Sequence, residues 1–100
     1  ILKNDTDNVI EKEMGMTHAD FFRSFPNVLQ GEQFLINGDR VRIISESGTW
    51  TIELGPESTR NIALLSLPRI TVTLKFEHYK ETDRRSALER FDRAFQRAGG

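Results

Sequence analysis

Arg90, Arg93 and Arg97 recur at helical spacing near the C-terminal end of the chain, a pattern suited to gripping phosphates. At 100° per residue they share the side of a helix opposite a stripe of Leu88, Phe91, Phe95 and Ala98, with Ala87 and Ala94 at its margin. Arg84, Arg85, Arg40 and Arg42 would extend such a patch. Glu81, Asp83, Glu89 and Asp92 are interleaved with these arginines, and Glu89 stands four residues before Arg93, the favourable order for a helix ion pair. The set therefore reads first as the solvated back of a packing helix, and nucleic-acid binding through it is the alternative.

Other chemistry is sparse. His18 and His78 are the two histidines, and neither has a partner at metal-ligand spacing. Ser45 and Ser47 lie in "SESG", which lacks the G-x-S-x-G elbow of a nucleophilic serine. Glu53 and Glu77 would form a carboxylate pair only if their strands adjoin, and with Arg42 and Lys75 nearby they read more simply as solvated ion pairs. Gly31, Gly38, Gly48 and Gly55 are single turn glycines and build no phosphate loop. The chain has no cysteine, hence no disulfide, thiolate ligand or Cys nucleophile. No catalytic residue, cofactor site or metal site is expected.

The elements that position these residues follow from local signals. Thr17 and Asp20 make a capping box for a short helix from His18 to Ser24, whose Phe21, Phe22 and Phe25 face a core and whose end is set by Pro26. Asn37-Gly38 is a strong hairpin turn, predicting Ile36 opposite Asp39, Leu35 opposite Arg40 and Phe34 opposite Val41. A second turn at Ser47-Gly48 predicts Glu46 opposite Thr49, Ser45 opposite Trp50, Ile43 opposite Ile52, Arg42 opposite Glu53 and Val41 opposite Leu54. After a Pro/Gly/Ser loop, "TRNIALLSL" is short enough for either a buried strand or a helix; the strand is the favoured reading, ended by a turn or bulge at Pro68. Ile70, Val72, Leu74 and Phe76 then alternate with Thr71, Thr73, Lys75 and Glu77, the clearest strand of the chain. Thr82 or Asp83 caps the C-terminal helix and Gly99 closes it. Gly99-Gly100 is similar to the tails of ubiquitin-like and sulfur-carrier families, but those leave a strand whereas this pair follows a helix.

Residues 1–16 lack a sustained period and read as poorly structured or marginally helical. Val9, Ile10, Glu13 and Met14 would form one amphipathic turn after an Asp5/Thr6 cap. Residues 17–100 read as one α+β domain: an antiparallel meander of four to five strands, with a short N-terminal helix and a C-terminal helix packed on one face. Parity assigns Phe34, Trp50 and Phe76 to the covered face and leaves only Tyr79 with the polar set, so a base-stacking platform is missing. The wet face carries Arg40, Arg42, Thr51, Glu53, Thr71, Thr73, Lys75 and Glu77, with Leu35 and Ile44 as a small apolar spot.

Length and charge bound the function. A chain of 100 residues has no room for a separate cofactor domain, and a net charge of −1 gives no global field for a polyanion or an anionic membrane. No apolar run approaches the roughly 18 residues of a membrane span. A soluble, cytoplasmic, non-enzymatic interaction or accessory module is expected, partnered by another protein or by its own copy. Its expected surface comprises Leu35, Arg40, Arg42, Ile44, Arg90, Arg93 and Arg97. A small-ligand carrier with a pocket between the helices and the sheet is the remaining alternative.

Overall fold

The computed structural model describes residues 8–99, and of residues 97–99 the backbone alone. Among the described residues there are six strands: β1 (Val9–Met14), β2 (Gln33–Asn37), β3 (Arg40–Ser45), β4 (Gly48–Leu54), β5 (Ser58–Ile62) and β6 (Leu65–Glu77). Helix α1 spans His18–Ser24 and helix α2 spans Glu81–Gly99. The sheet order is β1-β6-β4-β3-β2, every pairing antiparallel, while β5 pairs with the first part of β6 outside this row. Both helices lie on one face, giving the expected two-layer α+β domain with one or two strands more than expected. No described helix is long and apolar enough to cross a membrane.

Strand β6 carries the core. Ile70, Val72, Leu74 and Phe76 are buried, and opposite them stand Ile52, Leu54 and Trp50 of β4 and Ile10 and Met14 of β1. The helices close this face with aromatic rings. Phe21 stacks on Phe95 at 4.7 Å, Phe91 lies 4.6 Å from Phe95, and Trp50 stacks on Phe76 at 5.0 Å. Such pairs add about 0.5–1.5 kcal/mol each beyond their buried area. The buried stripe of α2 is Ala87, Phe91, Ala94 and Phe95, whereas Leu88 is only partly covered. The helix is thus rotated toward its alanines, which let the helix backbone approach the sheet. It also begins at Glu81, a turn-forming Lys80 carbonyl accepting from the Arg84 N–H at 2.8 Å, so Thr82 and Asp83 lie inside its first turn rather than capping it.

Several local readings hold. Thr17 Oγ1 accepts from the Asp20 N–H at 3.1 Å, the Asp20 carboxylate accepts from the Thr17 N–H at 3.4 Å, and α1 ends at Ser24, followed by a 3-10 turn over Phe25–Val28. Others shift. The first hairpin turns at Gly38-Asp39, so Asn37 faces Arg40, Ile36 faces Val41, Leu35 faces Arg42 and Phe34 faces Ile43. Gly38 has φ +63° and Asp39 has no positive φ, which suits a type II′ turn with glycine first rather than the type I′ turn centred on Asn37-Gly38. The second hairpin turns at Glu46-Ser47, setting Ile43 opposite Trp50, Val41 opposite Ile52 and Arg40 opposite Glu53. Each displacement moves partners by two positions, so every side chain keeps its predicted face.

Two segments differ in kind. Val9–Met14 is a strand paired with β6 and not a helical turn. Its inward row is Ile10, Lys12 and Met14, and the charge in the middle of that row, paired to Asp92 at 3.1 Å, hides the alternation. The proposed Asp5/Thr6 cap lies outside the described residues. The run Ser58–Leu67 is a hairpin folded at Ala63-Leu64, and Pro68 does not end it: β6 passes through Pro68 without a break. Pro68 stands opposite Thr59 at the sheet's margin, where a missing N–H is tolerated.

Gly48 has φ +145°, and a Cβ there would overlap the Glu77 carbonyl oxygen as β6 leaves the sheet, whereas one at Gly31, φ +85°, would meet nothing within 4 Å. Gly48→Ala is therefore expected to cost about 2 kcal/mol or more and Gly31→Ala about 1 kcal/mol in urea unfolding; equal costs would contradict the crossing at Gly48. At α1, the hydrogen bond from the Thr17 N–H, the Thr17 hydroxyl and the neighbouring Arg23 hold the Asp20 carboxyl below the ordinary carboxylate range. A depressed folded-state pKa stabilises above that range and is lost as pH falls through it. The stability gap between wild type and Asp20→Asn should accordingly be widest near neutral pH and narrow in acid.

Candidate interaction surface

The structure separates the seven expected surface residues into two groups on opposite faces. Leu35, Arg40, Arg42 and Ile44 stand together on the open face, since Leu35 faces Arg42 and lies diagonal to Ile44 across β2 and β3. Arg40 reaches Glu53 at 3.1 Å, and Lys75 reaches the other oxygen of the same carboxylate at 3.3 Å. Arg42 stands opposite Thr51, not Glu53. Glu77 faces Thr49 while Glu53 faces Thr73, so these carboxylates sit four positions apart along their strands, roughly 13 Å, and form no pair.

Arg90 belongs to the packing rather than to a free patch. Its guanidinium donates to the Val28 carbonyl at 3.3 Å, to Gln30 Oε1 at 3.2 Å and to Glu32 Oε2 at 2.9 Å, with 18% of its side chain exposed and 13% of Glu32's. It fastens α2 to the chain that enters β2. Arg93 is exposed beside it and lines a shallow cavity of about 230 Å³ with Asn27, Gln30 and Ala94. Arg97 lies in the last turns of α2 and its side chain is outside the described residues. The arginine row is thus divided by function, which its spacing alone did not reveal.

The exposed aliphatic residues supply a surface that sequence reading missed. Phe34 and Ile36 have core-side parity, yet both are about half exposed, because β2 projects beyond the helices. Phe34 meets Phe25 edge to face at 5.5 Å. Together with Leu35 and Ile44 they make the β2 edge apolar on both faces. The second group lies on the β5–β6 hairpin. With Ile62 opposite Leu65 and Arg60 opposite Leu67, one face of this arm is largely aliphatic, and Asn61 hydrogen-bonded to Ser66 at 2.8 Å occupies the other. Leu64 at its turn is fully exposed and Leu65 is 62% exposed. A ladder of five residues carries the tip roughly 17 Å beyond the sheet, in keeping with the 45 Å long axis of the molecule. Among the described residues, the exposed large hydrophobics are these two groups and Val9.

The base of the arm is tied by His18. Its Nε2 lies 2.6 Å from the Gly55 carbonyl, its Nδ1 faces Asp39 at 3.5 Å and Glu57 at 4.0 Å, and its backbone N–H donates to Glu57 at 2.8 Å. Gly55 and Glu57 belong to the link between β4 and β5, so the start of α1 holds the point where the arm leaves the sheet. Arg69 pairs with Glu13 of β1 on the other side of that base. His78 is exposed at the end of β6 with φ +69°. Among the described residues, no group of three or more His, Asp or Glu side chains is placed to hold a metal ion. Open grooves lie along the margins, including one of about 450 Å³ between β1 and α2 lined in part by Lys12, Met16, Asp92 and Phe95. The space between helices and sheet is occupied by the aromatic core.

No protein-family model, curated protein or solved structure matches this chain.

The division of the arginines is measurable. Arg90→Ala should cost about 2 kcal/mol in chemical unfolding, because Glu32 and the Val28 carbonyl lose a charged donor, and Arg93→Ala should stay within about 0.5 kcal/mol of wild type. Comparable small losses at both positions would mean that Arg90 is as free as its neighbour.

Proposed function

We propose that this chain is a non-enzymatic interaction or accessory module that presents two apolar elements, the β2 edge and the β5–β6 arm, to other polypeptides. The observation that carries this reading is the gathering of exposed Phe34, Leu35, Ile36 and Ile44 on one element and Ile62, Leu64, Leu65 and Leu67 on the other. Apolar groups clustered in this way mark contact sites more often than single exposed side chains do. Their backbone context adds to the case: β2 offers a row of N–H and C=O groups unpaired among the described residues, and the arm offers a two-stranded ribbon with one greasy face. Arg40 on β3 beside the edge, paired to Glu53 on β4, places polar groups of both signs next to the apolar residues.

Photo-cross-linking from positions 36 and 64 in source cells, with position 89 on the exposed back of α2 as control, checks the reading. Discrete protein adducts are expected at 36, at 64 or at both, and absent at 89. Adducts no more frequent at 36 and 64 than at 89 would contradict it.

A further inference from the structure

The five residues of β2, Gln33, Phe34, Leu35, Ile36 and Asn37, run polar, apolar, apolar, apolar, polar and are therefore symmetric about Leu35. We infer that β2 is a self-pairing edge, joining two copies of this chain through an antiparallel β2–β2 ladder whose two-fold axis passes at Leu35. This deepens the interaction-module reading and rests on it.

Hydrogen-bond alternation selects the register. A two-residue turn makes its flanking pair, Asn37 and Arg40, a hydrogen-bonded pair, so Asn37, Leu35 and Gln33 direct their backbone groups toward β3. The N–H and C=O groups of Phe34 and Ile36 then point out from the free edge. A two-fold at Leu35 sets Phe34 of each copy opposite Ile36 of the other, and both pairs exchange N–H···O bonds with the groups that are free. Leu35 meets its own copy at the intervening non-hydrogen-bonded position, where side chains approach most closely. Centring the ladder on Phe34 would instead set Glu32 against Ile36, and centring it on Ile36 would set Phe34 against Gly38. Only the register centred on Leu35 matches apolar with apolar on both faces.

Side-chain placement continues the match. With the two-fold perpendicular to the sheet, Ile44, Leu35, the second Leu35 and the second Ile44 form one strip across the joined open faces, and Phe34 and Ile36 of the two copies meet on the opposite face. No ionisable residue lies within Gln33–Asn37, so no like charges are opposed. The opposite margin of the sheet, β1, carries Glu11, Lys12 and Glu13, charges of the kind that keep an edge single. A five-residue edge with its flanking side chains buries on the order of 1,000 Å² in total, at the low end of specific interfaces, where association is weak and transient.

Analytical ultracentrifugation of the full chain from about 5 to 500 µM tests this, a span suited to a weak, transient association. Wild type should move from monomer to dimer mass. Leu35 is 62% exposed, so Leu35→Glu and Leu35→Lys are expected to keep the circular dichroism melt near wild type, and each should stay monomeric because like charges meet on the axis. Their equimolar mixture should recover the dimer as Glu meets Lys. A wild type monomeric throughout, single variants that dimerise like wild type, or a mixture that stays monomeric would each overturn the Leu35 two-fold. Any of these together with persisting cross-links from position 64 sinks the self-pairing alone, whereas a wild type monomeric throughout that also gives no adducts at 36 or 64 sinks the interaction-module reading with it.

Discussion

The structure depends on the double pairing of β6. This strand bonds to β1 on one side and β4 on the other over its second half, and its inward row of Ile70, Val72, Leu74 and Phe76 is the surface on which both helices settle. The Phe21, Phe91 and Phe95 cluster of the helices meets Trp50 and Phe76 there, so the sheet and the helical layer share one aromatic core. Gly48 is needed because β6 crosses the start of β4 as it exits, and the turn of the β3–β4 hairpin is then pinned by Ser45 and Tyr79, whose hydroxyls lie 3.3 Å apart.

What β6 does not cover explains the surface. Its first half runs past the sheet, and its one partner there is β5, so the arm keeps backbone bonds but gains no helix to bury its aliphatic face. At the far margin, β2 is two strands removed from β6 and lies beyond the reach of α2, which Arg90 anchors only as far as Val28, Gln30 and Glu32. The same geometry that concentrates the core at the centre leaves Phe34 and Ile36 with core parity and only partial cover. Exposure here follows from strand position rather than from residue type.

Face assignment was legible in the sequence because it depends on parity, which survives a one-residue error in a turn. The exact partners were not, because Asn37-Gly38 and Gly38-Asp39 both satisfy local turn chemistry and the choice falls to the fit of β4 on β6. The α1 capping box was legible to the residue, being made within four positions. β1 escaped because Lys12 sits in the inward row, and the arm escaped because its turn is Ala63-Leu64, with Ala63 at φ +54° and no glycine to announce it. The symmetry of Ile62 with Leu65 and Asn61 with Ser66 about that turn was the available signal. Leu35, Arg40, Arg42 and Ile44 were gathered correctly by parity, while Arg90 was set with its neighbours because helical spacing does not show that Glu32 and the Val28 carbonyl wait beside it.

Residues 58–69 form an ordered ribbon that holds aliphatic side chains in water, continuous with the spine of the sheet. Nuclear magnetic resonance of the full chain measures this directly. The account predicts cross-strand contacts between the backbones of Arg60 and Leu67 and of Ile62 and Leu65, with arm amides exchanging more slowly than an unstructured chain though faster than those of Val72 and Leu74. Arm amides that exchange at unstructured rates, with no contacts across the Ala63-Leu64 turn, would contradict it.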